Sequence, residues 1–362
     1  MTKATKTAAT VGRAVAAGAT ALSVVAMTPG QGEAQAATAQ RIVVDSTADA
    51  PDASTRDGKC LSDKGGCTLR AAVMEANAHP GSTIVIPAGR YNLSIPPLLG
   101  RPFTDYTQAD TAHGNLKIFA ATTITGAGAD ETVIDGRGID RVFTVMRPAT
   151  ITDLTVTRGR SEPTASLYNY YGGGAALNAS DLTMERVHLF KNTGRIGGAV
   201  RNIPFSSFTL RDSVVDQNEA GEAGGIRFDS SGLVERSTIS NNRVVDPYDP
   251  TRPGELAGYG GGVDVRGVRD VTLVDSKVTG NYAEKGGGGI NITLGYTPAP
   301  PVRVGPGLVR LKNTTVTDNT RWEGPANCRA VLARFIDLGG NADSDGSCAL
   351  NLRNRASDPD HG

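Results

Sequence analysis

One repeated unit constrains the fold more than any other feature of this 362-residue sequence. Each copy has a Gly-Gly pair, an apolar-x-apolar-x segment, and a nine-residue segment that starts on an apolar residue and usually ends on Asn. The Gly-Gly pairs begin at Gly173, Gly197, Gly224, Gly261 and Gly288. The nine-residue segments run from Met184, Leu210, Leu233, Leu273 and Leu311 to Asn192, Asn218, Asn241, Asn281 and Asn319. Their starts are 26, 23, 40 and 38 residues apart, which predicts a β-solenoid with insertions in its longer repeats.

Alternation within the repeat assigns residues to two faces of a sheet, one in the core and one in solvent. The predicted inward residues are Ala175, Leu177, Ala199, Arg201, Ile226, Phe228, Val263, Val265, Ile290 and Ile292. The predicted outward residues are Ala176, Asn178, Val200, Asn202, Arg227, Asp229, Asp264, Arg266, Asn291 and Thr293. Arg201 interrupts the inward set, which indicates a shifted repeat.

The closing Asn residues are interpreted as a structural ladder at one corner of the solenoid, in preference to a binding site. Asn tolerates left-handed backbone geometry, and its amide can bond to the repeats above and below. The segment from Ile151 to Gly159 is interpreted as an earlier copy in which Gly replaces Asn.

The N-terminus has the pattern of a secretory signal peptide over residues 1–36. Lys3, Lys6 and Arg13 precede an apolar run over residues 14–27, and Ala34-Gln35-Ala36 supplies a small-x-small cleavage pattern. The run is too short for a membrane span, and no second long apolar run follows. Removal of this segment leaves 34 basic and 36 acidic residues, a balance that favours neither nucleic acid nor an anionic membrane as partner. We therefore expect a secreted, extracellular protein.

The four cysteines form two pairs by position. Cys60 and Cys67 flank a short loop, and Cys328 and Cys348 flank a longer one near the C-terminus. In an oxidising compartment these positions predict two disulfides. The sequence has four His and no C-x-x-C pair, so no zinc spacing is present and no metal site is predicted.

An amphipathic helix is predicted after the first cysteine pair. Thr68 is expected to cap it and Pro80-Gly81 to end it. One face of this helix carries Leu69, Ala72, Val73 and Ala76. A solenoid has an open apolar end, so we interpret the helix as its N-terminal cap.

These residues carry a family resemblance. The run Cys67-Thr68-Leu69-Arg70-Ala71-Ala72 with Ala76-Asn77, followed by Ile84-Val85-Ile86-Pro87-Ala88-Gly89-Arg90-Tyr91, resembles the CSLREA domain of secreted and surface bacterial proteins. Thr68 replaces the Ser of that motif and Ala71 its Glu. The resemblance extends through Ile124-Thr125-Gly126-Ala127-Gly128 and Thr132-Val133-Ile134-Asp135-Gly136. It implies a right-handed parallel β-helix of the pectate-lyase-like superfamily and an extracellular location, with no settled activity.

Parallel β-helix enzymes act on polysaccharides, but the polygalacturonase residue set is missing, and Asp-Asp does not occur. The best charged group consists of Arg227, Asp229, Asp264 and Arg266, which adjacent repeats ~4.8 Å apart would bring into one patch. Its members are either catalytic or sugar-binding residues, or surface ion pairs that contribute little, and we favour the ion pairs.

The segment from Asn341 to Gly346 begins like a calcium loop, yet Leu352 stands at the twelfth position where Glu is required, so a polar turn is favoured.

Aromatic residues concentrate in the turn between the closing Asn and the next Gly-Gly pair, which also carries two insertions. The candidate ligand-binding residues there are Tyr168, Tyr170, Tyr171, Tyr248, Tyr259, Tyr282 and Trp322. Stacked along one edge, such rings would suit contact with sugars or with a protein. The alternative is that the long loops bury their own aromatics.

The sequence thus predicts a signal peptide over residues 1–36, a cap over 37–82, an all-β parallel β-helix over 83–350 and a polar tail over 351–362. The favoured function is a surface-interaction protein that binds polysaccharide or cell-surface glycan through the aromatic edge and needs no cofactor. The alternative is a polysaccharide lyase or glycoside hydrolase, and only a lyase would use Ca²⁺.

Overall fold

The computed structural model describes residues 38–98, 111–161, 172–245, 258–267, 270–293 and 307–350. The predicted signal peptide and the predicted polar tail lie outside these residues. Among the described residues, no helix has the length and apolar character needed to cross a membrane.

The described residues form one helix and thirty-one strands. The N-terminal part contains β1 (Arg41–Val43), α1 (Leu69–Ala78), β2 (Ser82–Val85), β3 (Gly89–Asn92), β4 (Leu116–Ile118), β5 (Thr122–Thr125), β6 (Thr132–Asp135), β7 (Phe143–Val145) and β8 (Ala149–Thr157). The repeats begin with β9 (Ala176–Asn178), β10 (Asp181–Phe190), β11 (Thr193–Ile196), β12 (Val200–Asn202), β13 (Ser207–Arg211), β14 (Val214–Asp216), β15 (Glu219–Glu222), β16 (Ile226–Phe228), β17 (Ser231–Glu235), β18 (Thr238–Ser240) and β19 (Arg243–Val244). They continue with β20 (Val263–Arg266), β21 (Asp270–Val274), β22 (Lys277–Thr279), β23 (Tyr282–Ala283), β24 (Ile290–Thr293), β25 (Leu308–Lys312), β26 (Thr315–Thr317) and β27 (Thr320–Arg321). The C-terminal strands are β28 (Gly324–Pro325), β29 (Cys328–Val331), β30 (Arg334–Asp337) and β31 (Ala342–Asp343).

The strands form three sheets, which we call A, B and C. Sheet B contains β4, β7, β9, β12, β16, β20, β24 and β29, sheet C contains β11, β15, β19, β23, β27 and β28, and sheet A contains the remaining seventeen strands. A full turn of the chain, here called a coil, passes through sheet B, twice through sheet A and once through sheet C. The pairs between coils are parallel, and the short β27–β28 hairpin is antiparallel. The predicted right-handed parallel β-helix with one N-terminal helix is confirmed.

The register of sheet B corrects the predicted alignment of two coils. The inward column consists of Ala176, Val200, Ile226, Val263 and Ile290. The prediction of Ala175 and Ala199 for this column is therefore wrong by one residue. A residue with positive φ lies three positions before the inward residue, and it is Gly197 in one coil but Ala223 and Gly260 in the next two. Alignment on the Gly-Gly pairs hides this difference.

A second correction concerns the coil that contains Leu233. Leu210 pairs with Val234, and Leu233 pairs with Thr209 on the outer face. Because both Leu233 and Val234 are apolar, the sequence pattern could not choose between them, but only Val234 is fully buried. The closing residue of this coil is consequently Asn242, and the prediction of Asn241 is wrong.

The predicted Asn ladder is present at the corner between sheets A and C. Its members are Asn192, Asn218, Asn242, Asn281, Asn319 and Asn327. The Nδ2 of each of the first five members donates to the Oδ1 of the next member over 2.9–3.0 Å. The left-handed conformation belongs to the residue before each of the first five members, which includes Asn241 with φ 53°. Gly159 donates its N–H to Asn192 Oδ1, in agreement with the interpretation of 151–159 as an earlier copy.

The N-terminal helix and both disulfides agree with the sequence predictions. Thr68 Oγ1 accepts the Ala71 N–H over 3.1 Å and caps α1. The predicted apolar face of α1 is buried. Cys60 is bonded to Cys67, and Cys328 is bonded to Cys348.

Candidate functional site

The outer face of sheet B carries a column of residues that are aligned from coil to coil. The column consists of Thr144, Leu177, Arg201, Arg227, Asp264, Asn291 and Arg329. The prediction that Leu177 and Arg201 face the core is wrong, because of the one-residue shift. The prediction that this face lies in solvent is also wrong, because Arg227 is only 4% exposed and Asp264 is fully buried. Buried charges require opposite charges and hydrogen bonds around them.

Arg227 is the centre of this charged network. Its Nε donates to Asp229 Oδ1 over 2.7 Å, and its Nη1 donates to Glu222 Oε2 over 3.0 Å and to Asp264 Oδ2 over 2.8 Å. Burial alone lowers the pKa of Arg227, but the three surrounding carboxylates raise it above its ordinary value. Arg227 is therefore a permanently charged group that holds three acids together.

Asp264 contacts three side chains. In addition to Arg227, the Asn291 Nδ2 donates to Asp264 Oδ1 over 2.7 Å, and Arg266 Nε lies 3.2 Å from Asp264 Oδ2. Burial raises the pKa of Asp264, and Arg227 and Arg266 oppose this rise. The structure therefore brings the four predicted charged residues into one cluster, as buried ion pairs and not as isolated surface pairs.

Two further members of the cluster were not predicted as site residues. Arg201 Nε donates to Asp229 Oδ2 over 3.1 Å, and Glu222 Oε2 lies 2.9 Å from Arg266 Nη2. Burial alone raises the pKa of Asp229, but Arg227 and Arg201 hold it below its ordinary value. The interrupted inward set was a signal for Arg201. Glu222 lies at the end of β15 in sheet C, outside the repeated segments, and no sequence signal pointed to it.

Tyr259 lies at the accessible side of the cluster. Its half-buried ring is 5.9 Å from Arg266 Cζ and 5.3 Å from Arg329 Cζ, measured to the ring centroid. Arg266 is the most exposed member of the network, with 26% of its side chain accessible. We call Tyr259, Arg266 and Arg329 the arginine–tyrosine rim. The rim and the network together contain four arginines and three acids, so they carry one excess positive charge. The arginines are Arg201, Arg227, Arg266 and Arg329, and the acids are Glu222, Asp229 and Asp264.

The other described aromatics of the predicted edge lie elsewhere. Tyr282 is in β23 of sheet C, where it pairs with Arg243 and Thr320, and Arg243 Cζ lies 5.8 Å from its ring. Trp322 is 82% exposed at the tip of the β27–β28 hairpin. Tyr259 precedes sheet B, and its carbonyl accepts the N–H of Ala223 from the neighbouring coil. These three rings therefore do not stack in one row.

Four of the predicted binding residues cannot be placed relative to these rings. Tyr168, Tyr170, Tyr171 and Tyr248 lie outside the described residues.

The segment from Asn341 to Gly346 does not fit a calcium ion. Asp343 accepts the Asn327 side-chain amide and the Cys348 N–H, both over 2.7 Å, and Asp345 accepts the Asn327 N–H over 2.8 Å. The carboxylates thus terminate the Asn ladder as a polar turn. Within the described ranges, no three His, Cys, Asp or Glu side chains are grouped so as to hold a metal ion.

Comparison with known proteins gives one similarity to a curated sequence. The chain is 27% identical over 257 residues to the mannuronan C5-epimerase AlgE2 of Azotobacter vinelandii, an alignment of 63% of this chain and 24% of the epimerase. The chain thus spans about a quarter of that relative's length. No family model matches the chain, and no solved structure matches it. The structure is therefore a parallel β-helix, and the sequence is distantly related to a polysaccharide-modifying enzyme.

Proposed function

We propose that this is a secreted protein that binds an acidic polysaccharide at the arginine–tyrosine rim on the outer face of sheet B. The observation that carries the proposal is that Arg266 Cζ and Arg329 Cζ both lie over the Tyr259 ring, 5.9 and 5.3 Å from its centroid. The distant relation to a mannuronan epimerase supports a polysaccharide as the ligand.

The chemistry of the rim matches a sugar ring that carries a carboxylate. A tyrosine ring offers rigid apolar area for the face of a sugar and a hydroxyl at its tip. A guanidinium is the side chain best suited to pair with a carboxylate. The buried network beneath holds Arg266 in place through Asp264 and Glu222, so that little side-chain freedom is lost on binding.

The aromatic edge of the sequence prediction remains part of the proposal in a modified form. Trp322 and Tyr282 on the sheet C side offer a second contact for a long polymer, because Trp322 is exposed and Arg243 lies beside Tyr282. Tyr168, Tyr170, Tyr171 and Tyr248 belong to the inserted segments of the sequence and are kept as candidate contacts.

Secretion is proposed on one ground besides the N-terminal pattern. Two disulfides are typical of an oxidising compartment. Mass spectrometry of the exported protein tests this proposal. The expected mature N-terminus is Ala37, and an uncleaved N-terminus would contradict it.

A second candidate function is modification of the same polysaccharide. The similarity to an epimerase favours it. In this alternative Arg266 stabilises the negative charge that develops when a proton leaves the sugar, while Asp229 and Asp264 hold Arg227 in the network behind it. Incubation with acidic polysaccharides, with and without Ca²⁺, tests it through the absorbance of an unsaturated product and the NMR spectrum of the polymer.

The primary proposal is tested on an array of neutral and acidic polysaccharides. The wild type is expected to bind acidic members, and Tyr259→Ala to lose most of this binding. Lys312→Ala removes an exposed positive charge from β25 of sheet A and serves as the matched control. Equal binding by the wild type and Tyr259→Ala would exclude the rim, and no binding by the wild type would exclude the function.

A further inference from the structure

A strained turn at the corner between sheets B and A presents an exposed aromatic ring. The turn spans Ile203 to Ser206, and the Ser206 N–H donates to the Ile203 carbonyl over 3.4 Å. Phe205, at its third position after Pro204, has φ 68° and is 93% exposed. This position of such a turn favours Gly or Asn, and a bulky aromatic residue there is a genuine outlier. Phe205 therefore occupies a conformation that its own side chain disfavours, and it gains no burial in return.

The turn is two residues longer than the same corner in the coils on either side of it. The register aligns Asn178, Asn202 and Phe228, and it aligns Asp181, Ser207 and Ser231. Two residues therefore separate the aligned positions in the coils before and after, whereas four separate them in this coil. The two additional residues correspond to Pro204 and Phe205 at the tip of the turn. The coils immediately before and after close this corner without them, so the corner can form without the ring.

The base of the turn is rigid. Ser206 Oγ lies 2.6 Å from Asn202 Oδ1 and 2.5 Å from the Ile203 carbonyl, and these two acceptors share its one hydroxyl proton. Asn202 in turn accepts from Asn178 Nδ2 over 2.7 Å, and the Ile203 N–H donates to the Asn178 carbonyl over 3.0 Å. The turn that carries the ring is thus fixed to the buried pair Asn178–Asn202. A ligand that stacks on the ring would therefore lose little free energy in ordering the backbone of the turn.

The turn borders the charged network. It follows β12, whose Arg201 pairs with Asp229, and the Asp229 N–H donates to the Asn202 carbonyl over 2.8 Å. Phe205 therefore lies about one coil, ~5 Å along the β-helix axis, from Asp229. The Asp229 carboxylate also pairs with Arg227. A polymer lying across sheet B reaches Phe205 at the edge of that face.

We propose that Phe205 is an aromatic subsite that stacks on a sugar ring of the polysaccharide bound at the arginine–tyrosine rim. The inference rests on the proposed function and adds a contact at the end of the sheet B strands opposite Tyr259. A rigid ring with an exposed face is the side chain that contributes most to binding for the least loss of conformational freedom. The strain at Phe205 is retained because the ring is used by a ligand.

Phe205→Gly separates this role from a structural one. Gly relieves the positive φ, so the variant is expected to unfold at a higher urea concentration than the wild type. Its affinity for the acidic polysaccharide that the wild type binds is expected to fall by about tenfold. Phe205→Asn, which tolerates the same backbone, should show the same loss, and Phe205→Trp should bind within about threefold of the wild type.

The outcomes distinguish this inference from the proposed function. Unchanged affinity in Phe205→Gly and Phe205→Asn, while Tyr259→Ala loses binding, would overturn the subsite and leave the rim in place. Absence of binding by the wild type would overturn both. A loss of binding in Phe205→Gly together with a stability at or above that of the wild type supports the subsite, because a purely structural residue does not produce this combination.

Discussion

Arg227 and Asp264 form an ion pair of 2.8 Å between two side chains that are 5% and 0% exposed, on a face that the sequence pattern assigned to solvent. Two charges removed from water in this way stabilise the fold only while both are present. The pair is the centre of a network in which Asp229 and Glu222 also contact the same guanidinium.

Arg227→Met is therefore expected to lower the free energy of unfolding by about 3–5 kcal/mol, because it leaves three carboxylates in a buried cluster without their central cation. Urea denaturation followed by circular dichroism measures this loss. Arg236→Met is the matched control, since Arg236 contacts Asp212 over 2.7 and 2.8 Å at an exposed corner. Equal shifts for the two variants would contradict the burial of the network.

The Asn ladder allows the register to be tested at two adjacent residues, Asn241 and Asn242, of which only Asn242 belongs to the ladder. Asn242 donates to Asn281 and to the Val215 carbonyl, and it accepts the backbone N–H and the side-chain amide of Asn218. Asn242→Ala is expected to cost about 3 kcal/mol of folding free energy, because it leaves several buried groups without partners. Asn241 is exposed and has φ 53°, so Asn241→Gly should leave the stability unchanged or raise it slightly. If the loss appeared at Asn241 instead, the sequence-based alignment would be correct.

The close approach of neighbouring coils explains one of the repeated glycines. A Cβ atom on Gly198 would lie 2.1 Å from the Gly224 carbonyl oxygen, so the two backbones leave no room for a side chain. Gly198→Ala is expected to lose at least about 3 kcal/mol or to fail to fold. In Gly324→Ala the Cβ atom meets nothing within 4 Å, and the expected cost of about 1 kcal/mol comes from its φ of 129° alone. Comparable soluble yield and unfolding midpoint for both variants would show that the coils have room to separate.

Asp135 makes stability depend on pH. Burial alone raises its pKa, but hydrogen bonds from Arg158, the Arg137 N–H and Arg90 lower it below the ordinary value. A carboxyl with a lowered folded-state pKa contributes stability above its unfolded pKa of about 3.9, and this stability is lost as the pH falls towards the lower folded-state pKa. Asp135→Asn should therefore cost about 2 kcal/mol near neutral pH, and the difference from the wild type should shrink below about pH 4. Urea titrations at a series of pH values measure this difference, and a constant difference down to pH 2.5 would contradict the account.

The parts of the fold that depend on local spacing could be predicted from the sequence. The repeat indicated the solenoid, the spacing of Leu69, Ala72 and Ala76 indicated the buried helix face, and the position of the cysteines indicated the two bonds. Alternation assigns residues to the inner or outer face only after one residue, the anchor, has been chosen to align the repeats. The anchor here is a positive-φ residue that is Gly in some coils and Ala223 in another, so the Gly-Gly pairs gave an alignment that was wrong by one residue at Ala175 and Ala199.

The charged site could be predicted only in part. Alternation placed Arg227 and Asp264 on the same outer face, but burial of that face depends on Arg201, Glu222 and Arg266 from three different strands. The contact of Tyr259 with Arg329 joins residues 70 positions apart in the sequence and arises from the stacking of coils. Nothing in the sequence indicated that Phe205 is a site residue. Its turn is recognised only when the register of the strands shows that the turn has two additional residues.

Whether the arginine–tyrosine rim binds glycan is tested most directly by affinity electrophoresis of the wild type and Arg329→Ala in gels that contain an acidic polysaccharide, at low and at high salt. The polysaccharide is expected to retard the wild type, salt is expected to reduce the retardation, and Arg329→Ala is expected to migrate nearly as it does in a gel without polysaccharide. Lys312→Ala should behave as the wild type. Equal retardation of all three proteins, or none for the wild type in any acidic polysaccharide, would contradict the claim that the arginine–tyrosine rim binds glycan.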